Sequence, residues 1–189
     1  MQFDTTPILK KTWRRLIITS GLIIILLSSF TYASILLIPK EYQVKAVYLL
    51  NFSKFTRWPE SSFSGSTTPI SICILGKNPF EDFEILIKGK IIKGRNVKVE
   101  YIDNFRTSNN CQILFVSKSE QEKQIKILAY IKQYPVLTVS DIKNFIMCGG
   151  MIQFYIQDKK VRFMVAPEKL TKVGITASAN LLRVAKIVK

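Results

Sequence analysis

Pro135-Val136-Leu137-Thr138-Val139-Ser140-Asp141, then Ile142 to Cys148, then Gly149-Gly150-Met151-Ile152-Gln153-Phe154 and, past a polar break, Val161-Arg162-Phe163-Met164-Val165, is the stretch that decides the fold. Val136, Leu137 and Val139 form a short apolar run with no polar face. That predicts a strand covered on both sides, as in a parallel sheet. Ser140 or Asp141 stands where a side chain can cap a brief helix carrying Ile142, Phe145 and Ile146. Gly149-Gly150 ends that helix and permits a sharp turn. Met151 to Ile156 and Val161 to Val165, joined across Gln157-Asp158-Lys159-Lys160, read as an antiparallel hairpin.

Working outward, the same alternation continues in both directions. Upstream, Ile70 to Leu75 and Cys111 to Val116 are apolar runs of strand length, and Val97, Val99 and Tyr101 alternate with polar residues as in a strand with one wetter face. A helix over Phe80, Phe83 and Leu86 follows the first of these strands. Another begins at Ser117 or Ser119, with Ile125, Leu128 and Ile131 on its buried side. Glu41 to Trp58 reads as an amphipathic helix whose apolar stripe is Val44, Val47, Tyr48, Phe52 and Phe55, stopped by Pro59. Downstream, Pro167 suits the first turn of a short helix ending near Gly174, and Ala177 to Val188 reads as a last helix burying Leu181, Leu182, Ala185 and Val188. The expectation is a single-domain α/β sandwich: a largely parallel, Rossmann-like sheet, helices on both faces and a C-terminal antiparallel hairpin.

Lys10, Lys11, Arg14 and Arg15 precede an uncharged run from Leu16 to Phe30, and Ala33 closes a small-residue exit. This is the pattern of a secretory signal peptide, residues 1–33, cleaved after Ala33. Ile35 to Ile38 lengthen the apolar run, so an uncleaved inner-membrane anchor is the alternative. Either way the basic flank stays in the cytoplasm and the remainder is exported, to the periplasm. Residues 34–40 are then a linker and 41–189 the folded domain. Losing the leader removes four basic residues and one acidic one from a chain of net charge +15, so the exported part stays strongly basic.

The lysines are spread through every segment, without an Arg-rich helix or an aromatic-basic platform, and no nucleic-acid partner is expected. The chain has no histidine, which removes the commonest general base and metal ligand. Glu81, Asp82 and Glu84 favour a helix start rather than a catalytic pair. Gly76 after a strand is too isolated to mark a phosphate loop, and Lys88-Gly89-Lys90 with Lys93-Gly94-Arg95 reads as an exposed turn or, alternatively, an anion site. No nucleophile elbow, Walker loop or metal motif is present, so neither an enzyme nor a bound cofactor is expected.

The chain resembles the YfiR family of exported bacterial proteins. The resemblance rests on Lys45-Ala46-Val47-Tyr48-Leu49, Asn51-Phe52-Ser53-Lys54-Phe55 and Trp58-Pro59 in the first helix. It continues through Ile72-Cys73-Ile74-Leu75-Gly76, Pro79-Phe80, Gly94-Arg95, Cys111-Gln112-Ile113-Leu114-Phe115, the stretch at Pro135, Gly149-Gly150-Met151-Ile152 and Arg162-Phe163. It runs from about Tyr42 to the C-terminus. Each motif is weak alone; their order and spacing are specific. The family's founding members are periplasmic repressors of a membrane-bound diguanylate cyclase. They bind its periplasmic portion and restrain cyclic di-GMP synthesis until an outer-membrane lipoprotein sequesters them.

Three cysteines allow three single pairings; Cys73 lies inside one strand and Cys111 opens a later strand of the same sheet, a pair that in an exported protein can oxidise, buried free thiols being the alternative. The resemblance implies the Cys73–Cys111 bond. It also implies that a second bridge found in some relatives is absent, because the strand after Cys148 reads Met151-Ile152-Gln153-Phe154-Tyr155. Cys148 is then unpaired. Two functional classes follow: a regulator binding the periplasmic domain of a membrane cyclase or other sensor protein, or a periplasmic small-molecule binder with its ligand at the carboxyl ends of the strands. A homodimer stays open. Tyr155 and Phe163 on the hairpin are the candidate partner contacts, and strand alternation lets only one of each neighbouring pair point outward. A periplasm-only reporter fused after Lys189 is expected to be active, and intact-mass analysis of the exported protein to show residues 1–33 removed; activity from a cytoplasm-specific reporter alone would contradict export.

Overall fold

Four of the expected strands lie side by side. In the computed structural model, which describes residues 40–189, the strands β2 (Ile70–Leu75), β4 (Arg95–Ile102), β5 (Ile113–Val116) and β6 (Leu137–Ser140) are parallel neighbours in the order β4-β2-β5-β6. The strand β7 (Ile152–Gln157) adds parallel to β6, and β8 (Lys160–Val165) returns antiparallel to β7. Two short edge strands complete the eight: β3 (Ile91–Ile92), antiparallel to β4, and β10 (Lys186–Ile187), parallel to β8. The expected mixed sheet with a closing hairpin is the observed one. The export segment and its cleavage after Ala33 lie outside the described residues.

Every residue of β2, β5 and β6 is buried, Ser71, Thr138 and Ser140 included, as in strands covered on both faces. One face, with Ile72, Ile74, Phe115 and Val139, is covered by α1 (Lys40–Phe55), α2 (Phe83–Ile87), α4 (Pro167–Thr171) and α5 (Ala179–Val184). The opposite face, with Cys73, Leu75, Leu114 and Val116, is covered by α3 (Gln124–Ile131) and by the turns over Ile142 and Phe145. A separate two-stranded ribbon pairs β1 (Thr56–Arg57) with β9 (Thr176–Ala177).

Four local expectations need correction. The first is the buried stripe of α1. It is Ala46, Leu49, Leu50, Phe52 and Ser53, with Lys45 among them, whereas Val44, Val47 and Phe55 are 37%, 44% and 38% exposed. Apolar residues surround this helix, so periodicity alone admits two rotations, and the buried lysine decides between them. Second, Ile142 to Cys148 is a series of turns, not a helix. Asn144 is left-handed at φ 62°, and the chain folds so tightly over Phe145 that a Cβ on Gly150 would lie 2.2 Å from its ring. Third, a 3₁₀ turn over Lys118–Lys123 precedes α3 and shifts its phase, so that Ile127, Leu128 and Ile131 face the core and Ile125 faces solvent. Fourth, the last helix stops at Val184, and the β-branched tail continues as β10.

The hairpin turn is a two-residue one. Asp158 and Lys159 take φ of 50° and 57°, the left-handed pair that suits the twist of two antiparallel strands. A disulfide joins Cys73 in β2 to Cys111 just before β5, with Cα atoms 5.9 Å apart and a sequence separation of 38; Cys148 is a free thiol. By the chain-entropy argument, the cross-link stabilises the fold by about 4 kcal/mol. Cys73→Ala is expected to lower unfolding stability by that order under oxidising conditions and Cys148→Ala by under about 1 kcal/mol, measured by denaturant titration.

Candidate functional site

The order β4-β2-β5-β6-β7 reverses direction at β2. The carboxyl ends of β2 and β5 therefore form the crevice in which open α/β sheets hold ligands. Here that crevice is filled by the chain itself. Gly76 follows β2 at φ 86°, and a Cβ there would lie 2.4 Å from Ser119 Oγ and 2.8 Å from Glu120 Cγ. The Lys77 amide donates to Ser119 Oγ at 2.9 Å, and the Ser117 hydroxyl donates to the Lys77 carbonyl at 2.6 Å. Side chains and backbone occupy the volume a small ligand would need.

At the carboxyl end of β6 a second device closes the sheet. The Asp141 side chain is buried, and its Oδ2 accepts from Lys45 Nζ at 2.5 Å and from the Tyr42 hydroxyl at 2.8 Å; Lys118 Nζ lies 3.6 Å away. Lys45 also donates to Glu41 Oε1, one helical turn earlier, at 2.5 Å. Its ammonium sits 4.2 Å from the Tyr42 ring centroid, a cation–π contact. Two cations face two carboxylates, so the group is close to neutral. Burial first, then the hydrogen bond to Asp141, raises the Tyr42 phenol well above its ordinary value, which keeps it a donor. This constellation resembles an acid–base centre in its residues, but α1 covers it and both carboxylates engage Lys45. What it does is fasten the start of α1 to the sheet.

The third feature is open. β6 pairs with β7 only at Ile152 and Gln153, so Phe154 to Gln157 run beyond its end. On the far side β10 pairs only with Met164 and Val165 of β8, leaving Lys160 to Phe163 without a strand partner on that edge among the described residues. The hairpin thus projects past the sheet with a free edge. Between it and α1 lies a groove of 480 Å³, with Val44, Tyr48, Ile156 and Val161 as its apolar floor and Glu41, Lys159, Lys160 and Arg162 around it. Val44 and Ile156 are exposed.

The two hairpin residues singled out from the sequence separate here. Phe163 is 2% exposed, its ring 5.1 Å from Phe52 and 5.2 Å from Tyr48 by centroid, so it is a core residue and a partner contact only in error. It pairs with Phe154 across the hairpin, and both point to α1. Tyr155 is half-buried and pairs with Arg162, so the two share the opposite face. The groove residues Val44 and Ile156 were missed; the signal was there in the surplus of apolar residues around α1, more than one buried stripe can absorb. Among the described residues no group of three or more cysteine, aspartate or glutamate side chains is placed to hold a metal ion, and no helix is long and apolar enough to cross a membrane.

Removing one partner of a buried ion pair leaves the other charge uncompensated, at a cost of about 3–5 kcal/mol. Lys45→Ala is expected to lose stability of that order in thermal or denaturant unfolding. The Tyr42 contribution is complete below the ordinary tyrosine pKa of about 10 and is lost as pH rises above it, because the unfolded phenol ionises first. Tyr42→Phe should therefore flatten the alkaline fall in stability, read from denaturant midpoints across that range.

A search of curated proteins finds no match to this chain. The YfiR/HmsC-like family pattern matches residues 42–186, which takes in α1 from Tyr42 on, the sheet as far as Lys186 of β10, the disulfide and the projecting hairpin. The chain belongs to the YfiR/HmsC-like family.

Proposed function

We propose that this protein is an exported, non-catalytic regulator that binds and represses the periplasmic part of a membrane signalling protein, a diguanylate cyclase being the partner that family membership favours. The observation that carries the reading is the family match across residues 42–186. The disulfide between Cys73 and Cys111 fits an oxidising compartment. The filled crevice at Gly76 counts against a solute binder using the customary site of this sheet type.

The α1–hairpin groove is the surface we assign to the partner. An extended partner segment can pair with the free edge of β8 and place alternate apolar side chains on Val44, Tyr48, Ile156 and Val161. Lys159, Lys160 and Arg162 favour an acidic segment and make association fall with salt. Repression then follows from linkage: a repressor that binds only the inactive conformation of the enzyme shifts it towards that conformation by its difference in affinity. An outer-membrane lipoprotein that sequesters the repressor would relieve it by competing for the free pool.

Deleting the gene is expected to raise cellular cyclic di-GMP, and complementation with Ile156→Asp to fail although the variant is exported and folded. Phe163→Ala is expected to fail differently, through a loss of about 3–5 kcal/mol of stability. Unchanged cyclic di-GMP on deletion, or full complementation by Ile156→Asp, would contradict the reading and its assigned surface respectively.

A further inference from the structure

A second cavity lies at the opposite end of the sheet, by the amino ends of β2 and β5, and has a volume of 630 Å³. That is the size of a small-ligand site. It opens on the α3 face, where Lys98 and Glu100 of β4 pair in register with Ser71 and Cys73 and stay about half exposed. Its walls are fixed by polar contacts. Arg95 stacks 3.9 Å from the Phe63 ring centroid and donates to the carbonyls of Gly65, Ser66 and Thr68, which holds the loop between the 3₁₀ turn and β2. Gln112 accepts from the Ser71 amide at 2.8 Å and donates to the Ser62 carbonyl at 2.9 Å, joining that loop to the sheet. Tyr134 is packed against Tyr130, with centroids 5.5 Å apart.

The chemistry of the lining selects among ligands. Ser64, Thr68, Asn109 and Asn110 present hydroxyls and carboxamides, groups that both donate and accept. Among the described residues, the charges lining the cavity are Lys98 and Glu100, 2.9 Å apart, so in a strongly basic protein this lining carries no net charge. Anionic ligands gain nothing from it over the rest of the surface. Apolar ligands would leave its amides and hydroxyls unpaired. Ser62 Oγ, in the same wall, is buried and has no hydrogen-bond partner. Tyr134 supplies one aromatic face beside these groups.

We propose that this cavity binds a neutral polyhydroxylated ligand, a sugar or the end of a glycan chain, through Asn109, Asn110 and the Ser64–Thr68 loop, with Tyr134 covering its apolar face. No residue of the α1–hairpin groove takes part, so this site stands or falls apart from the regulator reading. A free sugar and a glycan end offer the same hydroxyls and are told apart by chain length.

Saturation-transfer NMR on the purified protein tests the assignment, with N-acetylglucosamine, maltose and a soluble oligosaccharide of N-acetylglucosamine as probes and glucuronate as the charged control. The expected result is transfer to at least one uncharged probe with a dissociation constant of about 1 mM or tighter. Replacing both exposed asparagines, Asn109→Ala with Asn110→Ala, should weaken it about tenfold, which is one to two lost polar contacts. Ile156→Asp should leave it unchanged. Tighter binding of the oligosaccharide would identify a glycan end, and equal binding a free sugar. No transfer to any uncharged probe at about 10 mM, undiminished transfer in the asparagine variant, or transfer to glucuronate alone would overturn the proposal.

Discussion

The contact between Lys45 and Asp141 governs how the first helix lies on the sheet. A lysine that is 1% exposed stays charged at reasonable cost only where its ammonium is fully matched, and Asp141, Glu41 and the Tyr42 ring supply the match. Such a group tolerates one rotation of α1. That rotation sends Leu49 and Phe52 into the core and turns Val44 and Val47 outward. Burying the two valines instead would expose the lysine's partners and strand the carboxylate at the end of β6. One ion pair therefore sets both the packing of the helix and the composition of the surface beside it.

The ends of the sheet have diverged in consequence. At the carboxyl edge, where doubly wound folds usually receive ligands, Ser117, Ser119 and Glu120 fill the turn at Gly76, and α1 seals Asp141. The hairpin then carries the chain beyond that closed edge and offers backbone and apolar side chains to a macromolecule. At the amino edge the wall is held open by Arg95 and Gln112. The fold has closed the customary place for a small molecule and left room on either side of it.

The sheet was legible in the sequence because its strands are buried on both faces. Ile113 to Val116 has no polar interruption to confuse the reading, and Ile70 to Leu75 has only Ser71, which is itself buried. What failed were elements decided by tertiary contacts. The rotation of α1 depends on Asp141, ninety-six residues away along the chain from Lys45. The tail after Val184 becomes a strand only because β8 offers an edge to pair with. The turns at Asn144 are wound around the Phe145 ring rather than around helical hydrogen bonds. The site was legible in part: the hairpin was identified, but its inward and outward faces were not, since Tyr155 and Phe163 look alike in sequence and only the strand register separates them.

The free edge of β8 carries a hazard as well as a use. An unpaired strand flanked by apolar side chains is a template on which any extended chain can grow, including another copy of the same protein in a crowded compartment. Lys159 and Lys160 sit at its tip, and the left-handed turn of Asp158 and Lys159 twists the ribbon away from flatness. Like charges on two such tips repel, while an acidic partner is drawn in. The lysines thus act as gatekeepers against aggregation, and the stickiness that recognition requires is kept soluble by the same charges that steer it.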